Sequence, residues 1–153
     1  MPADPLPTEP RGPRAGGSPP AVNVPAVVLA SMVVLGLAHY LRADAMSELD
    51  GIWYLVNLGF FPGCYGGVDE LCGLRESWAG LVSPISHAFL HGDWTHYVTN
   101  AVWLLAFGSP VARRLGTARF LLFCAIGALA GAAFFFVLNR DLVQPMIGAS
   151  GVV

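Results

Sequence analysis

The chain has 153 residues, of which 55% are hydrophobic and only 12% charged, with a formal net charge of −2. A soluble domain carries roughly 25% charged residues, so a water-surrounded globule is a poor fit and a lipid bilayer a good one. There is no basic run and no lysine, which excludes the usual electrostatic footprint of a nucleic-acid partner.

Residues 1–20 hold most of the proline with Gly, Ser, Asp, Glu and Arg and show no apolar periodicity, which predicts a disordered tail. A first apolar segment follows at about 22–41. A spanning helix needs roughly 20 such residues, and this one is too long for the core of a signal peptide, so it reads as a transmembrane helix. Pro25 falls in its first turn, where a missing N–H is tolerated. His39 sits near its far end, at the expected interface, and is given no role. Residues 42–83 read as a long loop with six acids (Asp44, Glu48, Asp50, Asp69, Glu70, Glu76) against two bases (Arg42, Arg75). Within it, Ile52-Trp53-Tyr54-Leu55-Val56 with Leu58, Phe60 and Phe61 is aromatic and amphipathic and predicts a segment lying in the interface, broken by Gly63, Gly66 and Gly67. Cys64 and Cys72 share this loop. They can pair if it faces an oxidising compartment, or stand as two free thiols. With Cys124, a packing residue in an apolar helix, they are too few for a disulfide framework.

A second, shorter apolar segment at about 94–108 carries a polar cluster, with Asp93 as its expected N-cap. The short connection after it holds Arg113, Arg114 and Arg119 and no acid. The positive-inside rule makes that connection cytoplasmic, the acidic loop external and the N-terminal tail cytoplasmic. The third segment, about 118–138, contains Gly127-x3-Gly131, a small-residue helix-packing pattern. The chain then turns at Pro145, and a fourth helix begins near 148. The expectation is an all-α, multi-pass membrane protein with about three complete transmembrane helices and the start of a fourth. Residues 21–153 form one domain, placed in a bacterial inner membrane.

Polar side chains at membrane depth are costly and mark function. Two clusters qualify: His87-x3-His91-x4-His96-x3-Asn100, and Gly148-Ala149-Ser150-Gly151. His96 and Asn100, four apart, project from one side of a helix and can donate hydrogen bonds to one point, the geometry of an oxyanion hole. His91 lies about 140° round if it is helical, or precedes the helix altogether, and, with His87, does not readily join them. Ser150 sits between small residues. Gly148 and Gly151 permit close backbone approach, and the Ser150 N–H at a helix start is free to face an oxyanion. A serine hydroxyl needs a base to act as nucleophile. Under the predicted topology both clusters lie beneath the same outer surface.

The histidine–asparagine motif opening the second helix and the Gly-x-Ser-Gly opening the fourth together resemble the rhomboid family of intramembrane serine proteases. So do the Arg-Arg-Leu-Gly turn at 113–116 and the long outer loop. The resemblance covers roughly residues 41–153. It implies a six-helix core and a Ser–His dyad, with Ser150 as nucleophile and its partner histidine on a sixth helix that this chain does not contain. It further implies His96 and Asn100 in the oxyanion hole, and His87, His91, Gly148 and Gly151 in structural roles. Cofactor and metal are not implied. The substrate would be a transmembrane segment of another protein, cleaved near the outer leaflet. Two positions depart from the family pattern. A Trp-Arg pair is replaced by Val82 and Ser83, and a glutamate by Ala112; both concern docking of the loop and helix end.

Other readings compete. His96 with Asn100 would also serve as a polar pair joining helices, and Ser150 as a packing residue. His87, His91 and Asp93 form the weak outline of a metal site. A catalytically dead relative that binds transmembrane clients is the alternative function. Val152-Val153 reads as the opening of an apolar run, so the expectation is a fragment that lacks the base for Ser150 and is inactive alone.

Overall fold

A computed structural model describes residues 23–66 and 70–151. The expected tail at 1–20, Gly67 and Asp69 of the loop, and Val152 and Val153 lie outside the described residues. Among those described the fold is all-helical; the only strand-like feature is an isolated antiparallel bridge between Phe60 and Met146.

Helix α1 runs Ala26–Tyr40 and starts at Pro25, whose carbonyl accepts from the Val28 N–H at 3.0 Å. Proline is suited to this place because the first N–H groups of a helix have no internal partner. The helix does not stop at Tyr40. It widens into a π-helical turn, Leu41–Ala45, closed by the Met46 N–H on the Leu41 carbonyl at 2.9 Å.

The segment expected to be a loop is largely helical. α2, Glu48–Leu58, is capped by Ser47, whose hydroxyl accepts from the Asp50 N–H, and Glu48 and Asp50 complement the positive end of the helix dipole. α3, Ala79–Ser86, packs against α2 and against the later long helix Thr117–Leu138. The short local signals of α2 and α3 lacked the length of a span, and tertiary packing stabilises them instead. Cys64 and Cys72 are disulfide-bonded, with Cα atoms 5.3 Å apart.

The second apolar segment is longer than its expected 94–108. α4 (Trp94–Trp103), a π-helical turn (Leu104–Gly108) and α5 (Ser109–Leu115) follow one another without a break. The extension carries Pro110 at its start. A π turn just before it relaxes the backbone where a proline removes a hydrogen bond. Gly116, at φ 75°, ends α5 in a conformation that side chains other than glycine rarely adopt. α6 then runs Thr117–Leu138.

The stretches Ala26–Ala45 and Thr117–Leu138 are each long and apolar enough to cross a bilayer. Val28, Leu35, Leu104, Ala112, Phe120 and Ala149 form the buried core that joins α1, the π turn, α5, α6 and the glycine–serine turn. Outward, Leu29, Val33, Leu37, Leu121, Leu122, Phe134 and Val137 remain exposed, an apolar girdle suited to lipid.

Candidate active site

The opening of α4 organises the site. Asp93, extended at φ −147° and ψ 175°, accepts the His96 N–H at 2.8 Å, the N-cap that its place in the sequence predicted. Asn100, one turn below His96 and 3% exposed, donates from Nδ2 to the His96 carbonyl at 2.9 Å. Gly92 donates its N–H to Nδ1 of His96 at 3.4 Å. An Nδ1 that accepts leaves the ring proton on Nε2.

That Nε2 faces Gly148. A methyl group built on Gly148 would lie 2.6 Å from Nε2 of His96 and 3.6 Å from Nδ2 of Asn100, and the residue has φ 107°. Both sterics and backbone conformation therefore require glycine here. The backbone leading to Ser150 passes directly against the two donors. Ala149 is buried in the core, and Ser150, in the 3-10 turn Ala149–Gly151, is exposed. On the far side Gly151 packs on Gly131, where a methyl group would meet the Gly151 Cα at 3.4 Å.

The outer segment holds this turn in place. Phe60 and Met146 exchange two backbone hydrogen bonds, 3.2 and 2.8 Å. Gly63 donates to the Leu142 carbonyl at 3.0 Å, and Gly148 donates to the His87 carbonyl at 2.9 Å. The ring of His87 is buried, with Nε2 3.4 Å from the Ala128 carbonyl of α6. Burial pushes its pKa below the usual histidine value.

His91 precedes α4, one of the two placements its spacing left open, rather than lying on the helix itself, and its ring centroid is 5.3 Å from that of His96 in an edge-to-face arrangement. The backbone before Trp94 is extended rather than helical, so the ring folds back onto the start of α4. His91 is fully buried, and burial, followed by the neighbouring His96 and His39, pushes its pKa down to about 4.

Several residues were missed by sequence reasoning. His39, expected at the interface, is 1% exposed, its ring 4.6 Å from that of Trp94 and 6.2 Å from that of His91. A histidine inside an apolar span was the available signal. Arg42 donates to the His91 and Gly92 carbonyls. Arg75 donates to the Val56 carbonyl at 2.9 Å, the Gly59 carbonyl at 3.3 Å and the Ser83 hydroxyl at 3.1 Å. The Tyr65 hydroxyl lies 3.2 Å from the same Ser83 oxygen and donates to the Gly80 carbonyl. Position 83 lacks the arginine of the family pattern, and an arginine from eight residues upstream reaches it. Ala112, at the other departure, is buried in the core. Among the described residues no three His, Cys, Asp or Glu side chains converge as metal ligands would.

The sequence model of a family described as the Rhomboid domain matches residues 76–153. Among curated proteins, mitochondrial rhomboid protein 1 of Saccharomyces cerevisiae is 28% identical over 108 residues, covering 67% of this chain and 30% of the yeast protein. The putative rhomboid protease YdcA of Bacillus subtilis is 34% identical over 76 residues, 50% of this chain and 36% of that protein. The chain thus spans about a third of the length of the curated relatives it matches. No solved structure matches it significantly.

Proposed function

This chain belongs to the rhomboid family, and from that premise we propose that it carries the nucleophile and oxyanion hole of an intramembrane serine protease. In this reading Ser150 Oγ attacks the scissile carbonyl of a transmembrane segment. The C–O bond forms, the hydroxyl proton passes to a base, and negative charge develops on the carbonyl oxygen. His96 Nε2–H, the second N–H of the Asn100 amide and the backbone N–H of Ser150 receive that charge; preorganised donors of this kind are commonly the largest catalytic term. Collapse of the intermediate breaks the C–N bond, and the proton returns to the leaving amine.

The single observation that carries the reading is Gly148, whose backbone lies against His96 Nε2 and Asn100 Nδ2 where no side chain fits. The base is not among the chain's four histidines. His39 and His91 are enclosed with Trp94 and Tyr97, His87 is buried against α6, and His96 has its acceptor nitrogen occupied. The partner histidine of the family would supply it.

We also place the site under the outer surface, with the N-terminal side of α1 in the cytoplasm and the continuous helix 94–115 as a span between α1 and α6. Arg113, Arg114 and Arg119 on the inner connection support this. So does the Cys64–Cys72 disulfide, a bond at home in an oxidising compartment. A fluorophosphonate probe applied to the full-length protein tests the nucleophile. Labelling should be lost in the Ser150→Ala variant. Equal labelling of both proteins would discard Ser150 and leave the client-binding reading.

A further inference from the structure

The π-helical turn that ends α1 directs its polar side chains at the four residues 91–94. Arg42 Nη2 donates to the carbonyl oxygens of His91 at 2.7 Å and Gly92 at 3.2 Å. Asp44 accepts from the Trp94 indole at 3.2 Å. His39, just before the turn, packs its ring against Trp94. Wide turns of this kind recur at functional sites, where they re-aim side chains that a regular helix would carry past their target.

The His91 carbonyl and the Gly92 N–H belong to one planar peptide unit and point in opposite directions. Arg42 holds the oxygen end of that unit, and His96 Nδ1 receives the hydrogen end at 3.4 Å. A charged donor on the carbonyl polarises the amide and strengthens its N–H as a donor. The Gly92 N–H on Nδ1 in turn keeps the ring proton on Nε2, the nitrogen that faces Gly148.

We propose that Arg42 is a positioning residue for His96: by clamping the His91–Gly92 peptide it holds the imidazole as an Nε2–H donor aimed at the oxyanion site. This rests on the oxyanion reading of His96 given above. With the other tautomer a lone pair would face the developing charge and oppose it.

Nitrogen-15 spectra of the histidine-labelled chain in lipid nanodiscs, at a pH where His96 is neutral, test the proposal without catalysis. Wild type should show the Nε2–H tautomer of His96. Arg42→Met should bring up the Nδ1–H form, a change of about five- to tenfold in the tautomer ratio, as expected for the loss of one hydrogen bond. Arg42→Lys should restore most of the wild-type ratio. Asp44→Ala, which frees Trp94 but leaves Arg42 in place, should not change it. Arg42→Gln, too short to reach both carbonyls, serves if the methionine variant does not fold, and should also shift the ratio. A folded Arg42→Met or Arg42→Gln protein with the wild-type ratio overturns the proposal while leaving His96 as a donor. A wild-type chain with the proton on Nδ1 overturns the oxyanion reading itself.

Discussion

His91 shows how a single residue couples burial to protonation. Its side chain is fully enclosed, both ring nitrogens lack hydrogen-bond partners, and its pKa is pushed to about 4. The cause is burial first, then the charges of His96, His39 and Arg42 around it. The folded value lies below the unfolded one, so the unfolded chain binds more protons between pH 6.5 and about 4. The stabilising contribution of the neutral ring is therefore complete above pH 6.5 and is lost as pH falls toward 4. His87 shifts in the same direction. Thermal unfolding in detergent should show stability falling by on the order of 2 kcal/mol from pH 7 toward pH 4, and His91→Phe should flatten that slope. An unchanged slope in the variant would remove His91 as its source. At this scale, what was legible in the sequence was local. Asp93 could be read as a cap because its partner, the His96 N–H, is three residues away. The contact between His91 and His96 could not be read, because it depends on where helical backbone begins.

Among the elements, the outer segment between α1 and α4 departs furthest from its reading. It contains α2, α3 and a disulfide, and Arg75 joins the end of α2 to Ser83 of α3 through three hydrogen bonds. The Gly59 carbonyl directly precedes Phe60, whose bridge to Met146 holds the chain entering Gly148. Removing the guanidinium leaves partly buried acceptors unpaired, a loss of roughly 1–3 kcal/mol. Arg75→Met should accordingly lower the unfolding midpoint and raise amide hydrogen exchange at residues 60–63 and 142–148. Exchange that rises only at Val56 and Gly59 would show that the two segments are not coupled. Arg75 gave no signal in the sequence because its partners, Val56, Gly59 and Ser83, lie on separate turns and meet it only when α2 and α3 pack together.

For the whole molecule, the orientation proposed above has a direct test in the composition. The chain has no lysine, so a single introduced lysine reports its own side when its labelling is read against the parent chain, whose remaining amine is the chain terminus. Intact cells treated with a membrane-impermeant amine reagent should label the Glu48→Lys variant, on the outer segment, and not Arg114→Lys, at the end of α5, until the membrane is opened. The reverse pattern would invert the topology proposed above. The sequence by itself determined the all-helical class and the two long apolar helices. It also determined the shared face of His96 and Asn100 and the cap at Asp93, because periodicity, length and capping are written along a few adjacent turns. Only the tertiary structure decided that His39 is enclosed, that Cys64 meets Cys72, and that Gly148 is pressed against His96. It also decided that Arg42 reaches a peptide 49 residues away. Those contacts depend on how one helix is rotated against another and on where a turn widens, and neither is encoded in the spacing of residues along a single segment.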